Sequence, residues 1–516
     1  MNLIRKISAI ALSMSLMSIT GCGISKDITL DNISLSAQSL IKSSGTSSDL
    51  SGYTPDVLFK SKNEYNNPLI TNLFCADPTS VEYNGRLYVY GTNDNQQYLE
   101  KGDSDNTYEC IKSIVIISTD DMVNWRYEGM IDTASIAPWI WASWAPSITS
   151  RIEDDGLTHF YLYFSNSGAG VGVLTATDPA GPWSDPLGEP LVYAGMDGLT
   201  DCPNPFDPGV CIDDDGVGWL AFGSGSASDG TSYMPGSMRI CRLGSDMISI
   251  DSDFVKISAP YSFEASELNF INGTYVYTYN SSWDTRAVWE YINEIRSPSA
   301  CSMCYMTSKT PLDTDSWKYK DYYLKNPGEL GFSYSNNHTH LHKYNGKYYL
   351  FYHTLTLDRE LKTSHGFRCM CVSEIEVDEE NVIISECRAN LEGVEQIKQI
   401  DPYSVCQAET TYLTDCSYEK ADGVMYAKCS ENNVIAVKGV DFSKGSRAFA
   451  AKVKGSGSIE ICLDSFENEP SAVISFDCSD WTAVYDMVSI DKKTVHDIYF
   501  VMSGDFEFDE WQFVKK

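Results

Sequence analysis

Five stretches of the chain share one pattern: a short polar turn ending in glycine, then alternating aromatic and aliphatic residues. They are VEYNGRLYVYG, DDGLTHFYLYFSN, DDDGVGWLAFGSG, NFINGTYVYTYNS and HKYNGKYYLFYHT, with turn glycines Gly85, Gly156, Gly216, Gly273 and Gly346. Asn-Gly and Asp-Gly between strand-like runs signal hairpins. The glycines recur at intervals of 57 to 73 residues, enough for one small sheet each, and such units read as propeller blades. Further strands, SIVIISTD and GVGVLTATD among them, fall between the hairpins, and helical periodicity is almost absent. The spacing is long for a sandwich pair or a β-helix. A second repeat, STDDMVNWRYEG, ATDPAGPWSDPL and TSKTPLDTDSWKYK, carries Trp125, Trp183 and Trp317, which are expected to pack between blades.

Near residue 390 the pattern changes. After ECRANLEGVEQIKQIDPYSVCQ come short strands, from SRAFAAKVKG to FEFDEWQFVK, that predict a small β-sandwich. The expected organisation is all-β: a five-bladed β-propeller over 56–390, a linker over 391–404 and a jelly-roll sandwich over 405–516.

The N-terminus is a targeting segment. Arg5 and Lys6 precede the apolar run ISAIALSMSLMSI, and Ile19-Thr20-Gly21-Cys22 follows. This resembles a bacterial lipoprotein signal over 1–21, in which Cys22 is lipidated and becomes the first mature residue. The apolar run is too short for a retained membrane span. The Ser- and Gly-rich stretch to residue 55 reads as a flexible tether. The expected location is the extracellular face of the cell membrane, anchored by lipid, or secreted.

Composition narrows the partners. A formal net charge of −33 over 516 residues repels phosphate, which excludes nucleic acid and disfavours polyanionic substrates. Tyr is abundant, at 32; aromatic residues favour strands and also offer flat faces to sugar rings. The 16 cysteines alternate with apolar residues, as Cys369 and Cys371 do, and read as small core hydrophobes. A zinc site joining Cys301 and Cys304 to that pair is disfavoured by the spacing.

Three carboxylates stand out: Asp77, Asp207 and Glu264, each at a strand edge of a different repeat. Delivered to a common axis, they suit glycosidic bond cleavage, which needs one carboxyl as acid and one carboxylate as base. A third can hold the acid protonated by like-charge repulsion. Glu267 competes with Glu264, and Asp213, Asp214 and Asp215 read as turn residues.

The segments around these acids resemble glycoside hydrolase family 43, the five-bladed propeller arabinofuranosidases, xylosidases and arabinanases. They are Ala76-Asp77-Pro78, Phe206-Asp207-Pro208 with Asp214-Asp215-Gly216, Phe263-Glu264-Ala265 with Asn272-Gly273, and Asn336-Asn337-His338 with Tyr348 to His353. The likeness spans about 70–390 and implies Asp77 as general base, Glu264 as general acid and Asp207 as modulator in an inverting reaction. It implies release of α-L-arabinofuranosyl residues from arabinoxylan or arabinan; β-xylosidase and endo-arabinanase remain alternatives, as does a non-enzymatic glycan-binding lipoprotein. Trp141, Trp144, Phe206, Trp283 and Arg368 are candidates to meet the sugar. No cofactor is required for the chemistry. His338, with His340 and His342 as competitors on one side of a strand, is expected to face a structural calcium at the axis. The C-terminal segments Gln407-Ala408-Glu409-Thr410 and Trp511-Gln512-Phe513 resemble a family 6 carbohydrate-binding module. That module departs from its pattern in lacking a Trp before Val440 and in having Glu507 where an Asn is usual. Hemicellulose or arabinan oligosaccharides are the expected partners, and the chain is expected to act as a monomer.

Overall fold

The computed structural model describes residues 55–102, 104–225, 234–284, 289, 295–491 and 494–516. The expected signal segment and Cys22 lie outside these residues. Nineteen strands build five antiparallel sheets in chain order. The first sheet holds β1 (Ala76–Tyr83), β2 (Arg86–Thr92), β3 (Ser113–Thr119) and β4 (Trp125–Asp132). The second holds β5 (Trp144–Ile152), β6 (Thr158–Ser165), β7 (Gly170–Ala176) and β8 (Val192–Tyr193). The third holds β9 (Gly209–Ile212), β10 (Gly218–Phe222), β11 (Arg239–Arg242) and β12 (Val255–Lys256). The fourth holds β13 (Ser262–Ile271), β14 (Thr274–Ser281), β15 (Met303–Ser308) and β16 (Lys318–Leu324), and the fifth β17 (Thr339–Tyr344), β18 (Lys347–Thr354) and β19 (Cys369–Ile375). A two-strand ribbon, β20 (Val377–Asp378) with β21 (Ile383–Ile384), follows.

The hairpins form where the turn chemistry demands them. Tyr83 pairs Arg86, Ile271 pairs Thr274 and Tyr344 pairs Lys347, leaving two-residue Asn-Gly turns. Both turn residues take positive φ, as at Asn84 (51°) and Gly85 (73°), which matches the twist of the flanking strands and is easiest for Asn and Gly.

Apolar faces of successive sheets interlock. Ile116 and Tyr90 of the first sheet pack with Phe160 and Leu162 of the second, and Val173 of the second with Leu220 of the third. Ile240 of the third meets Tyr277 of the fourth, and Val276 of the fourth meets Leu350 of the fifth. Val89 and Trp125 of the first pack with Phe351 and Met370 of the fifth, closing the ring. Trp183 and Trp317 sit in two of these inter-sheet clusters. The innermost strands β1, β5, β9, β13 and β17 touch around the axis. This is a five-bladed propeller.

The C-terminal part is one curled eight-stranded sheet closed over its own apolar core as a small sandwich. It comprises β22 (Cys406–Gln407), β24 (Leu413–Thr414), β25 (Ser417–Ala421), β26 (Val424–Cys429), β27 (Val434–Asp441), β28 (Ser446–Leu463), β29 (Ala472–Ile490) and β30 (Val495–Lys515). Between β22 and β24, the short strand β23 (Thr410–Thr411) leaves the sandwich and pairs with β4, becoming the fifth strand of the first blade.

Residues 391–404 run as a bound strap: the amides of Asn66 and Asn67 donate to the carbonyls of Glu392 and Leu391. Thr71 Oγ1 donates to the Thr414 carbonyl at 2.7 Å and accepts the Thr414 N–H at 2.9 Å. Lys60 is wholly buried, its ammonium donating to the carbonyls of Pro68 (2.7 Å) and Tyr412 (2.8 Å) over the Tyr412 ring. Burial, helped by Lys438, pushes its pKa down to about 7.

Thr71→Val leaves two buried backbone groups of Thr414 unpaired, a loss of about 1–3 kcal/mol. Because the seam joins both parts, chemical denaturation should show one transition at lower midpoint. Two separate transitions, or an unmoved midpoint, would contradict the weld.

Candidate active site

Near the start of four inner strands lies a residue in the left-handed region: Asp77 (φ 49°), Ala145 (38°), Asp207 (50°) and Ala265 (62°). The ladders of β1, β5 and β13 shift register at the same point. A bulge of this kind re-aims side chains at a sheet rim. The backbone N–H freed at each kink is caught by a side chain: Asp77 by His353 Nδ1 (3.3 Å), Ala145 by Thr92 Oγ1 (2.8 Å), Asp207 by Ser165 Oγ (2.8 Å) and Ala265 by Asp207 Oδ2 (2.8 Å). His353 Nε2 meets the Asn336 carbonyl at 3.0 Å, so this nitrogen carries the proton and Nδ1 is free to accept. Burial holds His353 neutral, its pKa pushed down to about 3.

The kinks bring Asp77, Asp207 and Glu264 into the wall of one pocket of about 100 Å³. Trp144, Phe206 and Arg368 line it with them. Trp141 and Trp283 do not line it; Trp141 is 68 % exposed.

The three acids live in different surroundings. Asp77 accepts from Thr92 Oγ1 (2.7 Å) and from the Arg368 guanidinium (2.9 Å). Burial would raise its pKa, but Arg368, then His353, His338 and Thr92, outweigh it and hold the carboxylate at about 2. Arg368 is itself buried, gripped by Asp94 through Nε (2.9 Å) and a terminal nitrogen (2.8 Å), and its plane lies 4.8 Å from the Tyr108 ring. Asp207 accepts from Ser165 Oγ (3.2 Å) and the Ala265 amide; burial first, then the charge of Asp77, drives its pKa up. No hydrogen bond to the Glu264 carboxyl forms among the described residues, and burial, Asp207 and Asp77 together drive its pKa up. One carboxylate is thus held ionised, while a neighbouring pair retains a proton at neutral pH, the division general acid–base work requires.

His338 lies in the same wall, Nδ1 3.7 Å from Asp77; that is beyond hydrogen-bond range. His340 lies one layer below and bonds Glu267 Oε1 through Nδ1 at 2.7 Å, with Ser147 3.4 Å from the other Glu267 oxygen. Glu267 therefore belongs to a second layer beneath the pocket. Asp94, Tyr108 and Ala145 belong to the site without having been singled out in the sequence. Asp94 sits in the first turn of the helix Asp94–Lys101, where an acid reads as a helix-end charge, so its grip on a residue far along the chain leaves no local signal.

A five-bladed propeller with three carboxylates converging at one end of its axis defines a class of glycosidases. The sequence profile of glycosyl hydrolases family 43 matches residues 65–383, and the chain belongs to this family: it is a glycoside hydrolase. An arabinoxylan arabinofuranohydrolase of Bacillus subtilis (strain 168) is 34% identical over 488 residues, covering 87% of this chain and 92% of its own. One from Paenibacillus polymyxa is 33% identical, covering 87% and 74%. The crystal structure of a family 43 arabinoxylan arabinofuranohydrolase from Bacillus subtilis, in complex with cellotetraose, superposes with a TM-score of 0.79. It is 32% identical and covers 88% of this chain and 98% of that one.

Proposed function

We propose that the protein is an inverting α-L-arabinofuranosidase that removes terminal arabinofuranosyl groups from arabinoxylan or arabinan side chains. The observation that carries this reading is the split in protonation within one pocket: Asp77 clamped as an anion by Arg368, Glu264 unpaired and driven toward its neutral form. In this reading Asp77 takes a proton from a water that attacks the anomeric carbon. Glu264 donates its proton to the departing glycosidic oxygen from the opposite side. Asp207 anchors the Ala265 amide beside Glu264 and keeps that acid protonated by its own charge. Two relatives that each match 87% of this chain bear the name arabinoxylan arabinofuranohydrolase.

The pH–rate profile tests the roles. Asp207→Asn removes a like charge, so Glu264 should lose its proton at lower pH and the alkaline limb of kcat/KM should move toward acid. Arg368→Ala removes the cation that holds Asp77 near 2, so the acid limb should move up. Asp77→Asn and Glu264→Gln should each lower turnover by about 10²–10⁴-fold. Proton NMR should show the β-anomer of arabinose as first product; the α-anomer, or an alkaline limb that stays in place in Asp207→Asn, would sink the mechanism.

Two further parts of the reading lie outside the chemistry. A structural calcium at His338 or His340 is one of them: in the layer below the pocket His340 Nε2, Asn269 Oδ1 and Ser80 Oγ meet no partner among the described residues, and these residues line an axial cavity of about 320 Å³. His340 would supply the nitrogen, oriented by Glu267 as a metal-binding imidazole commonly is. Among the described residues no cluster of three His, Cys, Asp or Glu is set to ligate a metal, so water would complete the shell. Chelation should lower the thermal midpoint and calcium should restore it; an unchanged midpoint removes the ion. The second part is the lipid anchor on Cys22, with the sandwich acting as a glycan-binding-like module beside the enzyme at the cell surface. Mass spectrometry of the mature N-terminus checks it, and an unmodified start beyond Cys22 would refute it.

A further inference from the structure

Two thiols of the sandwich core, Cys416 and Cys429, bring their sulfurs to 3.8 Å of each other, and both residues are buried. Their placement follows from the hairpin that carries them. The turn between β25 and β26 is Asp422-Gly423, both residues at positive φ (51° and 86°), with Ala421 paired to Val424. The ladder runs from that turn to Ser417 opposite Lys428. One step further sets Cys416 against Cys429 at the open end. Residues directly opposite in an antiparallel pair have Cα atoms about 4.5 or 5.5 Å apart, inside the roughly 4.4–6.8 Å that a disulfide spans. Rotation of the two side chains then takes the sulfurs from contact to bonding distance. Cys369 and Cys371 also lie close, each 3.5 Å from Thr354 Oγ1. They stand two apart on one strand, however, and a Cα separation of about 6.7 Å lies at the edge of that span.

The hairpin is also where a covalent tie has most to hold. β25 is an edge strand that pairs with β26, and three of its five residues, Ser417, Glu419 and Lys420, are exposed. A two-stranded hairpin with so little buried surface is only marginally stable by itself. Yet this one abuts the propeller. Tyr418 stacks on Tyr127 of the first blade with ring centroids 5.0 Å apart, and the Cys416 carbonyl accepts from Asn72 Nδ2 at 3.0 Å.

We propose that Cys416 and Cys429 are a disulfide-forming pair that locks the sandwich side of this seam in oxidising surroundings. The oxidant is a small organic disulfide of the glutathione class. One cysteine thiolate attacks a sulfur of the oxidant, forming a mixed disulfide and releasing one thiol. The second thiolate attacks the protein sulfur of that mixed disulfide and releases the other thiol. The two cysteines lose two protons and two electrons, and one molecule of oxidant takes them up as two thiols. Because the pair closes the open end of an edge hairpin, opening of that hairpin alone exposes it to the oxidant.

The test uses the full chain, incubated a few degrees below its thermal midpoint with either oxidised or reduced glutathione. Each sample is quenched with acid, denatured and alkylated without reductant, then digested. Mass spectrometry should find Cys416 and Cys429 joined in the oxidised sample, the linked peptides lighter by two hydrogen atoms than the free pair. In the reduced sample each should carry the alkyl group. The linked form should melt a few degrees higher, and dithiothreitol should reverse the shift. In Cys429→Ala the link and the difference in midpoint between the two buffers should both vanish. Alkylation of both cysteines in the oxidised sample, glutathione adducts without a mutual link, or a link from either residue to a third cysteine would overturn the proposal. So would a linked form that melts with the reduced one.

Discussion

The site depends on a constraint in the backbone: four inner strands enter the axis through a residue with positive φ, three of them followed at once by a proline. A proline disfavours the right-handed helical region for the residue before it, and a non-glycine residue held at positive φ is strained by the order of 1–3 kcal/mol. Such strain persists only where the surroundings over-determine it. Here they do, because the N–H released at each kink is taken by a side chain from the end of a neighbouring strand: Thr92, Ser165, His353, and Asp207 itself. Asp207 thus serves the backbone of the strand that carries Glu264 with one oxygen and is anchored by Ser165 with the other. The geometry of the acids is inherited from this chain of catches more than from the acids' own contacts.

Charge is apportioned by a single cation. Arg368 is shared between Asp94 and Asp77 and makes no hydrogen bond to Asp207 or Glu264. A buried guanidinium with two carboxylates is satisfied in its bonds and leaves the remaining acids to share what proton they can hold. The fold thereby separates one ionised group from a protonated pair within one pocket. Sequence alone places Arg368 near the sugar; its partner Asp94 turns it into the group that sets the state of Asp77.

What could be read from the sequence follows from how local each signal is. Asn84-Gly85, Asn272-Gly273 and Asn345-Gly346 announce their hairpins because that dipeptide is suited to a turn with two positive φ values. The acids are legible as a set because each stands at the mouth of such a hairpin unit. Residues joined only by ring closure are not legible: Asp94 and Arg368 lie in the first and fifth blades, and nothing near either one names the other. Strand alternation puts His338 and His340 on one side, yet along an axial strand that side has depth, and the two meet different acids, Asp77 and Glu267. Aromatic character likewise does not report direction, which is why Trp144 lines the pocket while Trp141 faces solvent.

The pairing of β23 with β4 has a consequence for how such a protein can be inherited. An outermost blade strand exposes a row of unpaired N–H and C=O groups, a template for association with other chains. Here the row is covered at Trp125 and Arg126 by residues encoded after the propeller is complete. Lys60 and Thr71, encoded before the first blade, reach the same later segment. A gene rearrangement that cuts between the two parts would strip the first blade of its cover and strand a buried ammonium. The propeller and its sandwich are therefore suited to descend together, and diversification of the enzyme is channelled into the pocket wall and the loops rather than into exchange of its C-terminal partner.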